Sequence, residues 1–291
     1  MRSLIWLVLF SAFLSSCEKD INLKLDPSEN KLVVDASIEN GRPPIVFLST
    51  SIDYFSKINP SVLSSSFVHN AVVSISDGSK EVKLVEDTLT NVAGATLFYY
   101  TSPKTSPFLG KINSTYQLKI QIGNTTYTSS TTIPEITRKV DSMWWEKLPL
   151  SDDPKACRVM ITATDKPGLG DYIRYFTKVN SSPFLPGFTS VFDDNIIDGK
   201  SYTIPLDKGF DKNAIFVDSL AYYKRGDTVT FKLCQIDKNT YEFWRTYEFS
   251  FQSIGNPFSS PVKIQSNISN NALGYFGGYA AQYRTLIIPK L

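Results

Sequence analysis

The sequence predicts a mainly β protein, and three observations predict it. Apolar residues recur at every second position through most of the chain, the period of a strand with one buried face. Asp-Gly and Gly-Asn pairs punctuate these runs, and both pairs accept the positive φ of tight hairpins. Aromatic residues make up 13% of the chain, with fifteen Tyr and nineteen Phe, which suit a pleated, half-buried surface. The chain of 291 residues suits two domains or one large β domain.

The front of the chain reads differently. Arg2 precedes an apolar run, Leu4 to Leu14, broken only by Ser11, and Ser15-Ser16 puts small residues before Cys17. This is the layout of a secretory signal peptide over residues 1–16. The run is about eleven residues, short of the roughly 20 that span a bilayer. Leu14-Ser15-Ser16-Cys17 resembles the bacterial lipobox, where the cysteine sulfur takes a diacylglycerol before cleavage. Cys17 is therefore expected to be the first mature residue and the lipid attachment. Residues 17–29 read as the lipidated N-terminus and a polar tether.

Residues 30–134 carry the clearest alternation. Leu32, Val34, Ala36 and Ile38 share one parity in "KLVVDASIE", and Ala71, Val73 and Ile75 do so in "NAVVSIS". Asp77-Gly78 turns the chain into "KEVKLVE". Tyr116, Leu118, Ile120 and Ile122 alternate again, and Gly123-Asn124 leads into "TTYTSSTTI". With "PIVFLSTS" and "TLFYYTS" the count is about seven strands, the arithmetic of an immunoglobulin- or fibronectin-like β-sandwich. Pro134 closes it.

Residues 135–291 predict a second β-rich domain with one short helix. Its strands are "KVDSMWW", "ACRVMITAT", "YIRYFTKV", "AIFVDSLAYY", "TVTFKLCQI" and "RTLIIP". Asp237 can cap a helix over "KNTYEFWRTYEFSFQ", where Phe243, Tyr247 and Phe251 repeat at four. The stretch from Gly255 to Gly278, rich in Asn, Ser and Gly, reads as a loop.

Composition excludes some classes. Lys and Arg total 30 against 28 Asp and Glu, with no basic stripe, so no nucleic-acid partner is expected. His69 is the single histidine, in a loop-to-strand junction without a nucleophile elbow, and it reads as solvated or hydrogen-bonded. One histidine and two remaining thiols do not make a typical zinc site. Cys157 and Cys234 could form a disulfide outside the cytoplasm, but their opposite parities favour two separate thiols.

Asp193, Asp194 and Asp198 form the best acidic cluster and are a calcium candidate, although Ile196 and Ile197 break the alternation of a calcium loop. The glycines at 274, 277 and 278 suit tight turns or close backbone approach rather than phosphate binding. Trp144, Trp145, Tyr275 and Phe276 are ligand-binding candidates, for a sugar or a protein, although core packing is the favoured role for them. No catalytic set and no cofactor is expected.

Five segments then occur in order: "GDYIRYF" (170–176), "FDDNIIDGK" (192–200), "RGDTVTFKLCQID" (225–237), "YEFW" (241–244) and "SNISNNALGYFGGY" (266–279). Upstream lie "LVVDASI", "AVVSISDG" and "STYQLKI". Together they resemble a Bacteroidota family of outer-membrane lipoproteins, domain of unknown function 4249. The family's "SNI-x-NGLG" form lacks one glycine here, Asn271 or Ala272 standing in its place. Members are typically encoded beside TonB-dependent receptors.

The resemblance implies a noncatalytic binding or assembly accessory of a TonB-dependent transporter, held in the outer membrane by the lipid on Cys17. Alternatives are a structural or adhesive envelope lipoprotein, and a surface enzyme on glycans or peptides. In such bacteria acidic residues after the lipidated cysteine direct surface display, and Glu18-Lys19-Asp20 is a partial match. The same bacteria O-glycosylate Asp-Ser/Thr-apolar triplets, which makes Thr88, Ser142 and Ser219 candidates, with Thr228 the least accessible.

Overall fold

The computed structural model describes residues 30–52, 59–92, 95–211, 222–256, 258–260 and 262–291. The signal segment, Cys17, the tether through residue 29, Ser219 and most of "AIFVDSLAYY" lie outside the described residues. Strand accounts for 51% of the described residues and helix for 9%, so the fold is mainly β.

The first eight strands are β1 (Leu32–Glu39), β2 (Ile45–Thr50), β3 (Val72–Ser76), β4 (Glu81–Lys83), β5 (Val85–Val92), β6 (Ala95–Thr101), β7 (Ser114–Ile122) and β8 (Thr125–Ile133). They divide into two sheets. β4-β3-β7-β8 forms one, and β1-β2-β6-β5 is half of the other. Alternation does the sorting: Val34, Ala36 and Ile38 from one layer meet Val73, Ile75, Tyr116, Leu118 and Ile120 from the other, all buried. "KEVKLVE" reads as one strand but is two. The chain changes sheets at Leu84, which is 3% exposed and whose amide donates to the Val73 carbonyl at 2.8 Å.

A short helix, α1 (Pro60–Ser66), interrupts this half and was not expected. Its signal is present, since the Asn59 side chain accepts from the Val62 amide at 2.9 Å and proline occupies the first turn. The serines that follow disguise it as loop.

The second half comprises β9 (Lys139–Lys147), β10 (Ala156–Thr164), β11 (Tyr172–Val179), β12 (Leu185–Asp193), β13 (Ser201–Leu206), β14 (Tyr223–Lys224), β15 (Thr228–Ile236), α2 (Lys238–Gln252) and β16 (Leu273–Ile287). β13-β10-β14, with β9 on β10, packs over β11 and β15 around Val159, Ile161, Ile173, Tyr175, Phe231 and Leu233. β12 and β13 escaped the sequence reading because Pro186, Gly187 and Pro205 argue against strands. Both are edge strands, where a missing ladder donor is tolerated.

The Gly255–Gly278 loop reading is corrected at its end. β16 begins at Leu273 and pairs in parallel with β1, Asp35 opposite Tyr275 and Glu39 opposite Tyr279. This joins the halves into one eight-stranded sheet, β12-β11-β15-β16-β1-β2-β6-β5. The glycines serve close approach. A Cβ at Gly274, whose φ is +94°, would lie 1.8 Å from the Val34 carbonyl oxygen, and one at Gly278 would lie 2.4 Å from that of Thr132.

α2 matches its expectation. Asp237 caps it, accepting from the Thr240 amide at 2.8 Å. The helix lies on the opposite face of the large sheet from β9 and β10. Beneath it Cys234, Ile236, Tyr241, Phe243, Tyr275 and Tyr279 form a third cluster.

Candidate functional site

The strand alternation that buries Val34 and Ile38 turns Asp35, Ser37 and Glu39 to the other face of β1. The same parity presents Arg174 and Phe176 from β11, Lys232 from β15, and Tyr275 and Tyr279 from β16. α2 adds Trp244 and Tyr247. These residues line a cleft of about 400 Å³ that spans the β1–β16 seam.

Arg174 is its centre. The guanidinium carbon sits 3.3 Å from the Trp244 ring centroid and 4.7 Å from that of Phe176. Its Nε donates to Ser190 Oγ at 3.2 Å and its Nη1 to the Tyr279 hydroxyl at 3.4 Å. Glu248 holds Ser190 in turn, accepting from its Oγ at 2.6 Å and its amide at 2.9 Å. Trp244 Nε1 donates to the Tyr279 hydroxyl at 3.0 Å, and that hydroxyl donates to Tyr275 at 3.2 Å. The cation is thus fixed by aromatic faces and neutral oxygens.

Asp35 faces this network. It is open to solvent yet surrounded by protein at the floor of the cleft. Desolvation pushes its carboxyl above the ordinary value, and the Arg174 charge and a Tyr275 hydrogen bond only partly oppose this. Lys232 pairs with Glu39, which also accepts from the Tyr283 hydroxyl. An accessible perturbed carboxyl, a rigid cation and an aromatic wall make a recognition surface for a polar ligand.

The expected aromatic set does not assemble. Trp144 and Trp145 lie on β9, across the large sheet from α2. Trp144 donates to Glu146 at 3.0 Å, and Trp145 packs on the β10 core with Arg225 4.3 Å over its ring. Phe276 is fully buried in the first core, which removes it as a ligand-binding candidate and leaves it the favoured core-packing role. Tyr275 is 5% exposed but borders the cleft. Sequence reasoning missed Asp35, Arg174 and Trp244 as site residues; for Asp35 and Arg174 the available signal was a charge at a strand position between apolar neighbours.

The acidic cluster is also redistributed. Asp193 accepts from Asn195 Nδ2 at 2.8 Å and the Tyr241 hydroxyl at 3.2 Å. Asp194 accepts from the Gly170 and Asp171 amides, and Asp198 from the Gly168 amide at 2.6 Å. The calcium set Asp193, Asp194 and Asp198 therefore has three separate structural roles. Asp194 instead converges with Asp165 and Asp171, their oxygens within 4.8 Å of one another.

Cys157 and Cys234 are free buried thiols in different clusters on opposite faces of the large sheet. The disulfide alternative is corrected accordingly. Burial raises both thiols, Cys234 to about 12. His69 pairs with Glu86 at 2.9 Å, on the far edge strand β5. Thr88 and Ser142 are exposed and Thr228 is half-buried.

A family model described as a domain of unknown function (DUF4249) matches residues 18–285. No curated protein matches the chain.

Proposed function

The chain belongs to the DUF4249 family, and on that premise we propose that it is a lipid-anchored outer-membrane protein that binds without catalysing. In this reading Cys17 carries the lipid, the protein faces outward, and it serves as an accessory of a TonB-dependent transporter. The observation that carries the binding role is the seam cleft, where solvent-open Asp35 faces an Arg174 locked on Trp244. Such a site holds a ligand by fixed charge and aromatic surface. The groups most suited to covalent chemistry are committed elsewhere: the Cys157 and Cys234 thiols are buried and protonated, and the single histidine is hydrogen-bonded to Glu86 at the far edge of the sheet.

The test is affinity capture of tagged, lipidated protein from detergent-solubilised envelopes. Co-recovery of an outer-membrane barrel protein, lost in an Asp35→Asn/Trp244→Ala variant that still folds, supports the reading. Stringent capture with no barrel protein removes the transporter partnership. Metabolic labelling with palmitate tests the anchor, since a Cys17→Ser chain should take up none.

A further inference from the structure

We propose that Asp165, Asp171 and Asp194 hold a calcium ion, with the side-chain oxygen of Gln235 as a neutral ligand. The site lies in the second half, on the opposite face of the large sheet from the seam cleft, and it stands whether or not that cleft binds a partner.

Topology brings the acids together. Asp165 follows β10, Asp171 precedes β11 and Asp194 follows β12, so three strand ends meet. One carboxylate oxygen from each lies within 4.8 Å of the other two. Calcium sits about 2.3–2.6 Å from its ligands, so oxygens around one ion are at most about 5 Å apart. The observed spacing therefore suits a single ion touching all three. The set is also shielded from water: the Asp165 side chain has no exposed surface and Asp194 is 1% exposed.

Charge points the same way. The cation set against these acids is the buried Arg138, and it is engaged already: its Nε donates to Asp165 at 3.0 Å and Tyr202 hydrogen-bonds it. Three carboxylates less one guanidinium leave a formal charge of −2. Buried charge is costly unless it is compensated, and a divalent ion cancels this excess. Desolvation and the charges of Asp165 and Asp194 push the Asp171 carboxyl above its ordinary value, against a Thr137 hydrogen bond and the Arg138 charge. Asp194 accepts from the Gly170 and Asp171 amides, and Asp165 from the Gly199 amide at 3.3 Å. A carboxylate offers about four lone-pair sites, so these bonds leave room for an ion.

Gln235 is the independent observation. It is 1% exposed, and its Oε1 has no hydrogen-bond partner among the described residues. On β15 it stands opposite Ile173, whose face of the sheet Asp171 shares two residues earlier. Its Nε2 donates to Thr137 Oγ1, the hydroxyl that bonds Asp171. The unfilled oxygen thus belongs to an amide two hydrogen bonds from the Asp171 carboxylate. Buried acceptors are ordinarily filled, and a cation held by the carboxylates fills this one. An all-oxygen set selects a hard ion, and a site with little access to water favours calcium over magnesium, which sheds its own water reluctantly.

The experiment uses the full chain carrying Cys17→Ser, stripped of metal by a chelator and titrated with calcium chloride in a calorimeter. One equivalent should bind with a Kd of about 10⁻⁴ M or tighter, and magnesium about tenfold more weakly or worse. Calcium should also raise the melting temperature. Asp171→Asn should weaken calcium by about tenfold or more, yet raise the melting temperature of the metal-free chain by removing a like charge. Gln235→Met, which carries the test if Asp171→Asn fails to fold, should weaken calcium by about threefold or more. Asp193→Asn, outside the set, should leave the affinity within about twofold. No saturable binding at about 10 mM calcium, equal affinity for magnesium, or parental affinity in Asp171→Asn or Gln235→Met each overturns the proposal. So does loss of binding in Asp193→Asn, which would move the ion to the neighbouring loop.

Discussion

The Arg174 guanidinium carbon stands 3.3 Å from the centroid of the Trp244 ring, binding a strand of the large sheet to the helix above it. Trp244 also donates to the Tyr279 hydroxyl, so one indole holds both the cation and its neutral acceptor. Trp244→Ala removes the stacking, that bond and part of the apolar cover of the third cluster. The expected loss is about 2–3 kcal/mol of unfolding free energy, measured by urea titration, with Trp244→Phe recovering part of it.

Asp237 joins the helix to the opposite half of the molecule. One carboxylate oxygen caps Thr240, and the other accepts from Thr131 Oγ1 at 2.7 Å and the Thr132 amide at 2.9 Å. Asp237→Ala should cost about 2–3 kcal/mol, more than an isolated helix cap, because three donors lose their acceptor. Asp237→Asn should cost less. Denaturant midpoints of the two variants decide this.

Gly274 permits the seam itself. A side chain there meets the Val34 carbonyl and a φ of +94° at once. Gly274→Ala is expected to destabilise by about 3 kcal/mol or more, and amide exchange should quicken first along β1 and the start of β16. Uniform exchange across all strands would argue against a local seam defect.

Asp35 gives a pH dependence whose sign is determined by desolvation. Its folded pKa is raised above the ordinary 3.8, so the folded state binds the proton more tightly than the unfolded state does. Stability from this group is therefore full below about 3.8 and falls as pH rises through the raised folded value. Asp35→Asn should consequently gain stability over the parent chain between acidic and neutral pH, with the gain shrinking in acid. Urea midpoints measured across that range would reveal the trend or its absence.

Thiol chemistry offers a further check. With Cys17 replaced by serine, the folded chain should react with a disulfide reagent negligibly at pH 8, and both remaining thiols should react once unfolded. A rapidly reacting thiol in the folded chain would contradict the burial of Cys157 and Cys234.

Particular residues show how much of the fold and site was legible. The parity of Val34, Ala36 and Ile38 announced a half-buried strand, and the same parity left Asp35 and Glu39 on the other face. What it could not announce was a roof over that face. Asp237 announced its helix because capping is local chemistry. The strands β12 and β13 were hidden by prolines that only an edge position makes harmless. The segment around Phe276 looked like loop because its glycine neighbours imitate one; in the sheet those glycines let strands approach closely, and the ring is core.

The sequence by itself determined the mainly β class, the strand faces of the first half and the cap of α2. All of these follow from periods of two, from positive-φ turns and from short-range hydrogen bonds. Only the tertiary structure decided that β16 returns to pair with β1, bringing Asp35 beside Tyr275 and opposite Arg174. That pairing rests on backbone complementarity between segments more than two hundred residues apart, with glycines chosen for what approaches them. Local periodicity carries no record of which distant strand will be the neighbour, so the cleft and the buried Arg138 emerge only when the chain is folded.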